Sequence, residues 1–264
     1  WILTGEEYLC FDGSGIKRVS DIAYAPTTVI SAPPAGGGAA FEPVNLLTGR
    51  RKNQFRGDGV STLYSLDSEG IDGVCEVSVG GEVVDPALYA VDAAAGTVTF
   101  SSAPPAPSTP GEDNVVVAFS KTVPGNAAAV ERCRFMGLFG LGGANSDRIF
   151  FSGNPERQNV DWHCDISAPA YDVDPTYVPD TSYAYVGSDG NAIMGYRRLG
   201  AYQLIVKAQN DQDASLFLRS SALDSAGNTA FGLTQGAVGS GAVSMYAFAT
   251  LRDEPLFLTR DGVC

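Results

Sequence analysis

The amino-acid sequence predicts an all-β protein, and three observations carry that prediction. Glycine and proline are dense, at 31 and 15 residues in a chain of 264, and this punctuation cuts the sequence into pieces too short for long helices. Apolar runs of roughly four to eight residues recur, each closed by Gly, Asp, Asn, Ser or Pro, the pattern of strands between turns. Hydrophobic residues make 44% of the chain, enough at this length to bury the core of one large or two modest domains.

One stretch reads as a module of its own. Gln54-Phe55-Arg56-Gly57-Asp58-Gly59 is a turn and residues 61–66 a strand. Across residues 74–79, alternation puts Val74, Glu76 and Ser78 on one face and Cys75, Val77 and Val79 on the other. Gly80-Gly81 then supplies a two-residue hairpin turn, because glycine reaches the positive φ that primed turns require. Strands follow at 82–84, 89–92, 97–100 and 115–119, with a turn at Ala95-Gly96 and a proline-rich connector over 103–110. Six or seven strands within roughly 70 residues predict a small antiparallel β-sandwich. Prolines at 86, 104, 105, 107 and 110 exclude helix there.

Outside this module a looser repeat of apolar strand, polar turn and strand appears at 7–16, 148–154, 203–218 and 254–263, and its first and last copies resemble each other. Each copy has the form of the inner hairpin of a propeller blade, and the residues outside 44–121 suffice for about four blades. The expected layout is a partial β-propeller-like scaffold, residues 1–43 and 122–264, interrupted by an inserted small antiparallel β-sandwich at 44–121. An irregular sandwich is the alternative for the split part. The alanine run within 126–139 fits either a helical turn or an extended piece.

Charge and cysteine usage bound the function. The net charge of −13 repels a phosphate backbone, so tight nucleic-acid binding is not expected. Arg50-Arg51-Lys52, the compact basic cluster, reads as a solvated loop. No apolar run approaches the roughly 18 residues that span a bilayer, and the acidic start, Trp1-Ile2-Leu3-Thr4-Gly5-Glu6-Glu7, is unlike a signal peptide. Neither membrane insertion nor secretion is expected. The five cysteines, Cys10, Cys75, Cys133, Cys164 and Cys264, are scattered and read as free buried thiols made in a reducing cytoplasm. Starting at Trp1 and stopping just after a strand and its turn, the sequence reads as a fragment of a longer polypeptide.

Catalytic chemistry finds little to stand on. His163 is the single histidine, in Asp161-Trp162-His163-Cys164-Asp165, and neighbours on a strand point to opposite faces, so it would not hydrogen-bond the Cys164 thiol. Asp161, Asp165, Asp172, Asp174 and Asp180 form the densest carboxylate cluster, but Pro169, Pro175, Pro179, Tyr171 and Tyr177 interleave them, and an exposed aromatic-rich loop is the plain reading. Calcium-loop spacing is not met. Ser221-Ala222-Leu223-Asp224-Ser225-Ala226-Gly227, ending in Phe231, comes near the repeated box of sialidase-type propellers and misses its spacing. Gly36-Gly37-Gly38 lacks the lysine of a phosphate loop and reads as flexible linker. No catalytic, cofactor-binding or metal-ligating residue is assigned, and the chain is read as a non-enzyme without cofactors.

Two patterns resemble known proteins. Phe55-Arg56-Gly57-Asp58-Gly59, Thr62-Leu63-Tyr64-Ser65-Leu66, Val77-Ser78-Val79-Gly80-Gly81, Tyr89-Ala90-Val91-Asp92, Gly96-Thr97-Val98-Thr99-Phe100 and a closing strand of valines resemble, in that order, a β-module of bacteriophage tail and fibre proteins. Asn45-Leu46-Leu47-Thr48-Gly49 and Asp147-Arg148-Ile149-Phe150-Phe151-Ser152-Gly153-Asn154-Pro155 are similar to virion structural proteins of long-tailed phages, some propeller-shaped and placed at the head-to-tail junction. The resemblance implies a non-catalytic structural role in tail or head-to-tail assembly. It also implies synthesis in the bacterial host cytoplasm, residence in the virion, and association with other virion proteins or with itself. The alternative is a carbohydrate-binding host-attachment module using Tyr171, Tyr177, Tyr183, Tyr185 and Tyr202, with glycan as partner.

Overall fold

A computed structural model describes residues 1–143, 145–168, 172–210 and 212–264. The protein is all-β, built from small sheets, and the described residues add two short α-helices and one 3-10 turn, Pro86–Leu88, inside the stretch where the prolines were expected to exclude helix. It falls into two compact units, Trp1–Ile22 with Gly125–Cys264, and Ala23–Pro124.

The chain opens with an antiparallel sheet of β1 (Ile2–Leu3), β2 (Tyr8–Phe11) and β3 (Ile16–Arg18). Asp12 closes the β2–β3 turn by accepting the Ser14 and Gly15 N–H groups at 2.9 and 3.0 Å. A single turn of helix, α1 (Val19–Ile22), ends this piece.

The unit Ala23–Pro124 contains β4 (Thr27–Ala32), β5 (Ala39–Ala40), β6 (Arg50–Phe55), β7 (Leu63–Ser65), β8 (Gly73–Val79), β9 (Glu82–Val83), β10 (Tyr89–Asp92), β11 (Thr97–Phe100) and β12 (Val115–Ser120). Six strands form one sheet in the order β5-β4-β6-β12-β8-β9, and three form another, β10-β11-β7. Alternate residues of the two sheets share one core. Phe55, Val77, Val115, Val117 and Phe119 come from the larger sheet, Tyr64, Val98 and Phe100 from the smaller. The Tyr64 ring stands edge-on to Phe55 and Phe100, at 5.4 and 5.2 Å between centroids, contacts worth about 0.5–1.5 kcal/mol each beyond burial.

Several expectations are corrected here. The module begins near residue 23 and not at 44, because β4 pairs parallel with β6 (Thr27 opposite Lys52, Ala32 opposite Phe55) and buries Ala32 in the core. The larger sheet is therefore mixed, not wholly antiparallel. Gly36-Gly37-Gly38 is an ordered turn between β4 and β5. All three glycines have φ near +90°, and a Cβ on Gly38 would meet the Ile30 carbonyl oxygen at 2.6 Å. Arg50-Arg51-Lys52 lies in β6 and not in a loop; Arg51 is buried, 5.9 Å over the Phe119 ring. In β8 a bulge sets Val74 opposite Phe119 and Glu76 opposite Ala118, skipping Cys75. One extra residue reverses the parity, so Val74 packs on the core with Val77 and Val79 while Cys75 is exposed. Gly80-Gly81 joins β8 to β9 with φ of +60° and +87°, as the primed turn demands.

After Pro124 the alanine run resolves into both of its readings, α2 (Asn126–Glu131) and then β13 (Phe135–Phe139). The strands that follow are β14 (Arg148–Ser152), β15 (Val160–His163), β16 (Asp165–Ser167), β17 (Asp172–Asp174) and β18 (Tyr183–Tyr185). Next come β19 (Ile193–Leu199), β20 (Tyr202–Lys207), β21 (Leu216–Leu223) and β22 (Thr229–Gln235), then β23 (Phe248–Leu251), β24 (Glu254–Thr259) and β25 (Gly262–Val263). They form antiparallel sheets β13-β14-β15-β18, β19-β20-β21-β22 and β23-β24-β25, plus the ribbon β16-β17. Phe139, Phe150, Ile193, Tyr196, Ile205 and Phe217 join the two four-stranded sheets in one core. Among the described residues the sheets do not close into a barrel or a propeller ring, and each meander keeps its own edges. The first and last repeat copies are both hairpins, β2–β3 and β24–β25.

Candidate functional site

The residues marked by sequence occupy structural positions. His163 packs against the rings of Phe150 and Phe231, at 5.1 and 5.5 Å, which also touch each other, and its Nδ1 is 2.9 Å from the Cys164 carbonyl oxygen. Burial pulls its pKa below the ordinary histidine value. The Cys164 Sγ accepts the Ile149 N–H at 3.2 Å, and burial pushes that thiol up to about 12. At neutral pH the pair is an uncharged imidazole and an uncharged thiol, without the thiolate that nucleophilic attack requires.

The carboxylate cluster is dispersed, and it is not the exposed loop expected. Asp161, 1% exposed, pairs with Arg219, 2% exposed, and accepts the Tyr196 hydroxyl at 3.1 Å. Arg219 also donates to Gln203 Oε1 at 2.5 Å, and its guanidinium sits 3.9 Å over the Phe150 ring. This network ties β15 to β19, β20 and β21. Asp165 pairs with buried Arg148 at 3.0 Å, and Asp174 accepts the Thr176 N–H and hydroxyl, both at 2.8 Å. Asp172 and Asp180 are exposed. Among the described residues, no three His, Cys, Asp or Glu side chains are placed to hold a metal ion, and no helix is long and apolar enough to cross a membrane.

Arg219 and Gln203 escaped the sequence reading, although a signal existed. In Leu216-Phe217-Leu218-Arg219, alternation puts Arg219 on the buried face of Phe217, where a cation must find a partner. Lys207 poses the same problem on β20. It is wholly buried, donates to the Val186 and Ser188 carbonyls at 2.5 and 2.8 Å, and burial lowers it to about 8.

Of the tyrosines proposed to face solvent, Tyr177 is 2% exposed and cannot stack on a ligand. Tyr183 and Tyr185 are exposed on β18, opposite Trp162 and Val160 and edge-on to each other; Tyr202 is exposed on β20. Tyr171 and Pro169 lie outside the described residues. Of the thiols, Cys133 and Cys164 are buried as expected, whereas Cys75 and Cys264 are exposed and Cys10 is partly so.

The feature best suited to hold a ligand lies elsewhere. A cleft of about 710 Å³ opens in the unit Trp1–Ile22 with Gly125–Cys264, within the roughly 300–1,000 Å³ of small-molecule sites. Its walls are Trp1, Met136, Leu138, Ile149, Val173 and Pro175, with Asp147 as the ionisable residue among them. Tyr8 shapes one side: its ring packs 5.7 Å from that of Trp1, and its hydroxyl donates to the Pro175 carbonyl at 3.3 Å. The other side is the loop between β13 and β14, where Asp147 Oδ1 accepts the Gly142 N–H at 2.7 Å. Its Oδ2 accepts no hydrogen bond from the described residues. Gly140 is obligatory in this loop, since a Cβ there would stand 2.4 Å from the Ser146 carbonyl oxygen.

Comparison of the chain with protein-family models, with curated proteins and with solved structures finds no match.

Proposed function

We propose that this chain is a non-catalytic structural component of a bacteriophage virion, acting in tail or head-to-tail assembly. The observation that carries the reading is the module resembling phage tail and fibre proteins: its motifs, Phe55 through Phe119, supply most of one self-contained core. Small sheets tied by internal polar pairs suit a structural role, because bonds such as Arg219–Asp161 are satisfied inside the fold. The partners are other virion proteins or further copies of the chain, and the net charge of −13 disfavours adhesion to passing DNA. Mass spectrometry of purified particles of the encoding phage is expected to recover the polypeptide, and particles free of it would reject the proposal. Host attachment through stacking on Tyr177 loses its anchor, because that ring is buried.

A further inference from the structure

We infer that the cleft walled by Trp1, Leu138, Ile149 and Pro175 binds a neutral saccharide ring. The inference goes beyond the structural role and does not depend on it. Three properties of the cleft select the ligand. Its walls are apolar, so a ligand gains most by presenting a face of C–H groups. One wall is the indole of Trp1, 40% exposed, and an aromatic face carries the negative side of its quadrupole toward weakly positive C–H bonds. Asp147 is the acidic side chain among the described residues lining the cleft; its Oδ1 is held by Gly142, and its Oδ2 accepts no hydrogen bond from the described residues.

These properties disfavour apolar ligands and anions, and leave cations to the test below. A wholly apolar ligand would strip water from Asp147 Oδ2 and return nothing. An anion would meet that carboxylate and a net charge of −13. A pyranose carries C–H groups on its faces and hydroxyl donors on its rim, and so matches both kinds of lining residue, Trp1 and Asp147.

The two tryptophans make the test direct. Trp1 is exposed at the cleft and Trp162 is 3% exposed in the core, so collisional quenching of emission by acrylamide reports Trp1. The probes are the methyl pyranosides of glucose, galactose, mannose and N-acetylglucosamine, each titrated into the intact chain. At least one is expected to protect Trp1 saturably. Asp147→Asn keeps an oxygen for Gly142 and removes the charged acceptor, so protection should weaken by about tenfold or more. Leu138→Asp, at an exposed wall position, should abolish it, with circular dichroism confirming that both variants are folded. Failure of all four sugars to protect the wild type, or equal protection in Asp147→Asn, would overturn the inference. So would protection by n-hexylammonium alone, which would make the cleft a site for apolar cations. None of these outcomes bears on whether the chain is found in virions.

Discussion

Replacing Arg219 with methionine should be among the most damaging single changes to this protein. The guanidinium is 2% exposed and neutralises Asp161, itself 1% exposed. Methionine fills similar volume but leaves the carboxylate with the Tyr196 hydroxyl as its remaining partner. Removing one member of a buried ion pair costs about 3–5 kcal/mol, and the lost stacking on Phe150 adds about 0.5–2 kcal/mol, part of which the methionine recovers. Against a typical total of about 5–15 kcal/mol, the change is severe. Urea unfolding followed through the emission of Trp162, the neighbour of Asp161, gives the readout. With a slope of about 1–3 kcal/mol per molar, the midpoint should fall by about 1–5 M. The double variant Arg219→Met with Asp161→Leu should regain most of the loss, since replacing both partners by apolar groups is close to neutral. A single variant within about 1 kcal/mol of wild type, or a double variant no better than the single, would refute the view that this pair holds the two sheets in register.

Three further outcomes follow from the structure. His163 titrates below its ordinary value because it is buried, so its contribution to stability is complete above about pH 6.5 and is lost as pH falls through the lower folded value; the fall measured by calorimetry should be shallower in His163→Phe. Among the thiols, Cys75 and Cys264 should react with a maleimide in the native protein, while Cys133 and Cys164 react after unfolding; native labelling of Cys164 would contradict the packing around His163. Gly96 has φ +65°, and a Cβ there would lie 1.9 Å from the Ser68 carbonyl oxygen, so Gly96→Ala should cost at least about 1–3 kcal/mol and lower the melting temperature.

Much of the fold was legible because strands and hairpin turns are local. Period-two alternation located most strands of the module, and Gly80-Gly81 announced its own turn. What stayed hidden is non-local or irregular. The parallel pairing of β4 with β6 has no local mark, and β4 is disguised by two register shifts and by Ser31 at φ +57°, a conformation unusual for a side-chain-bearing residue. The bulge at Cys75 inverted one stretch of alternation. Charge and turn-forming flanks make Arg51 look solvated, though its aliphatic stem and stacking on Phe119 allow burial. The cleft was invisible for a different reason. It gathers Trp1, parts of 136–143 and 147–149, and Val173 with Pro175, segments distant in sequence that share no motif, whereas the histidine, cysteine and carboxylates that look chemical in a string are absorbed into packing and ion pairs.

The central claim, a structural role in the particle, is tested most directly by deleting the gene from the phage and viewing the lysate by negative-stain electron microscopy. The account expects unjoined heads and tails or malformed tails, restored by the gene supplied in trans. Complete particles at normal yield from the deletion phage, whether or not they infect, would contradict it.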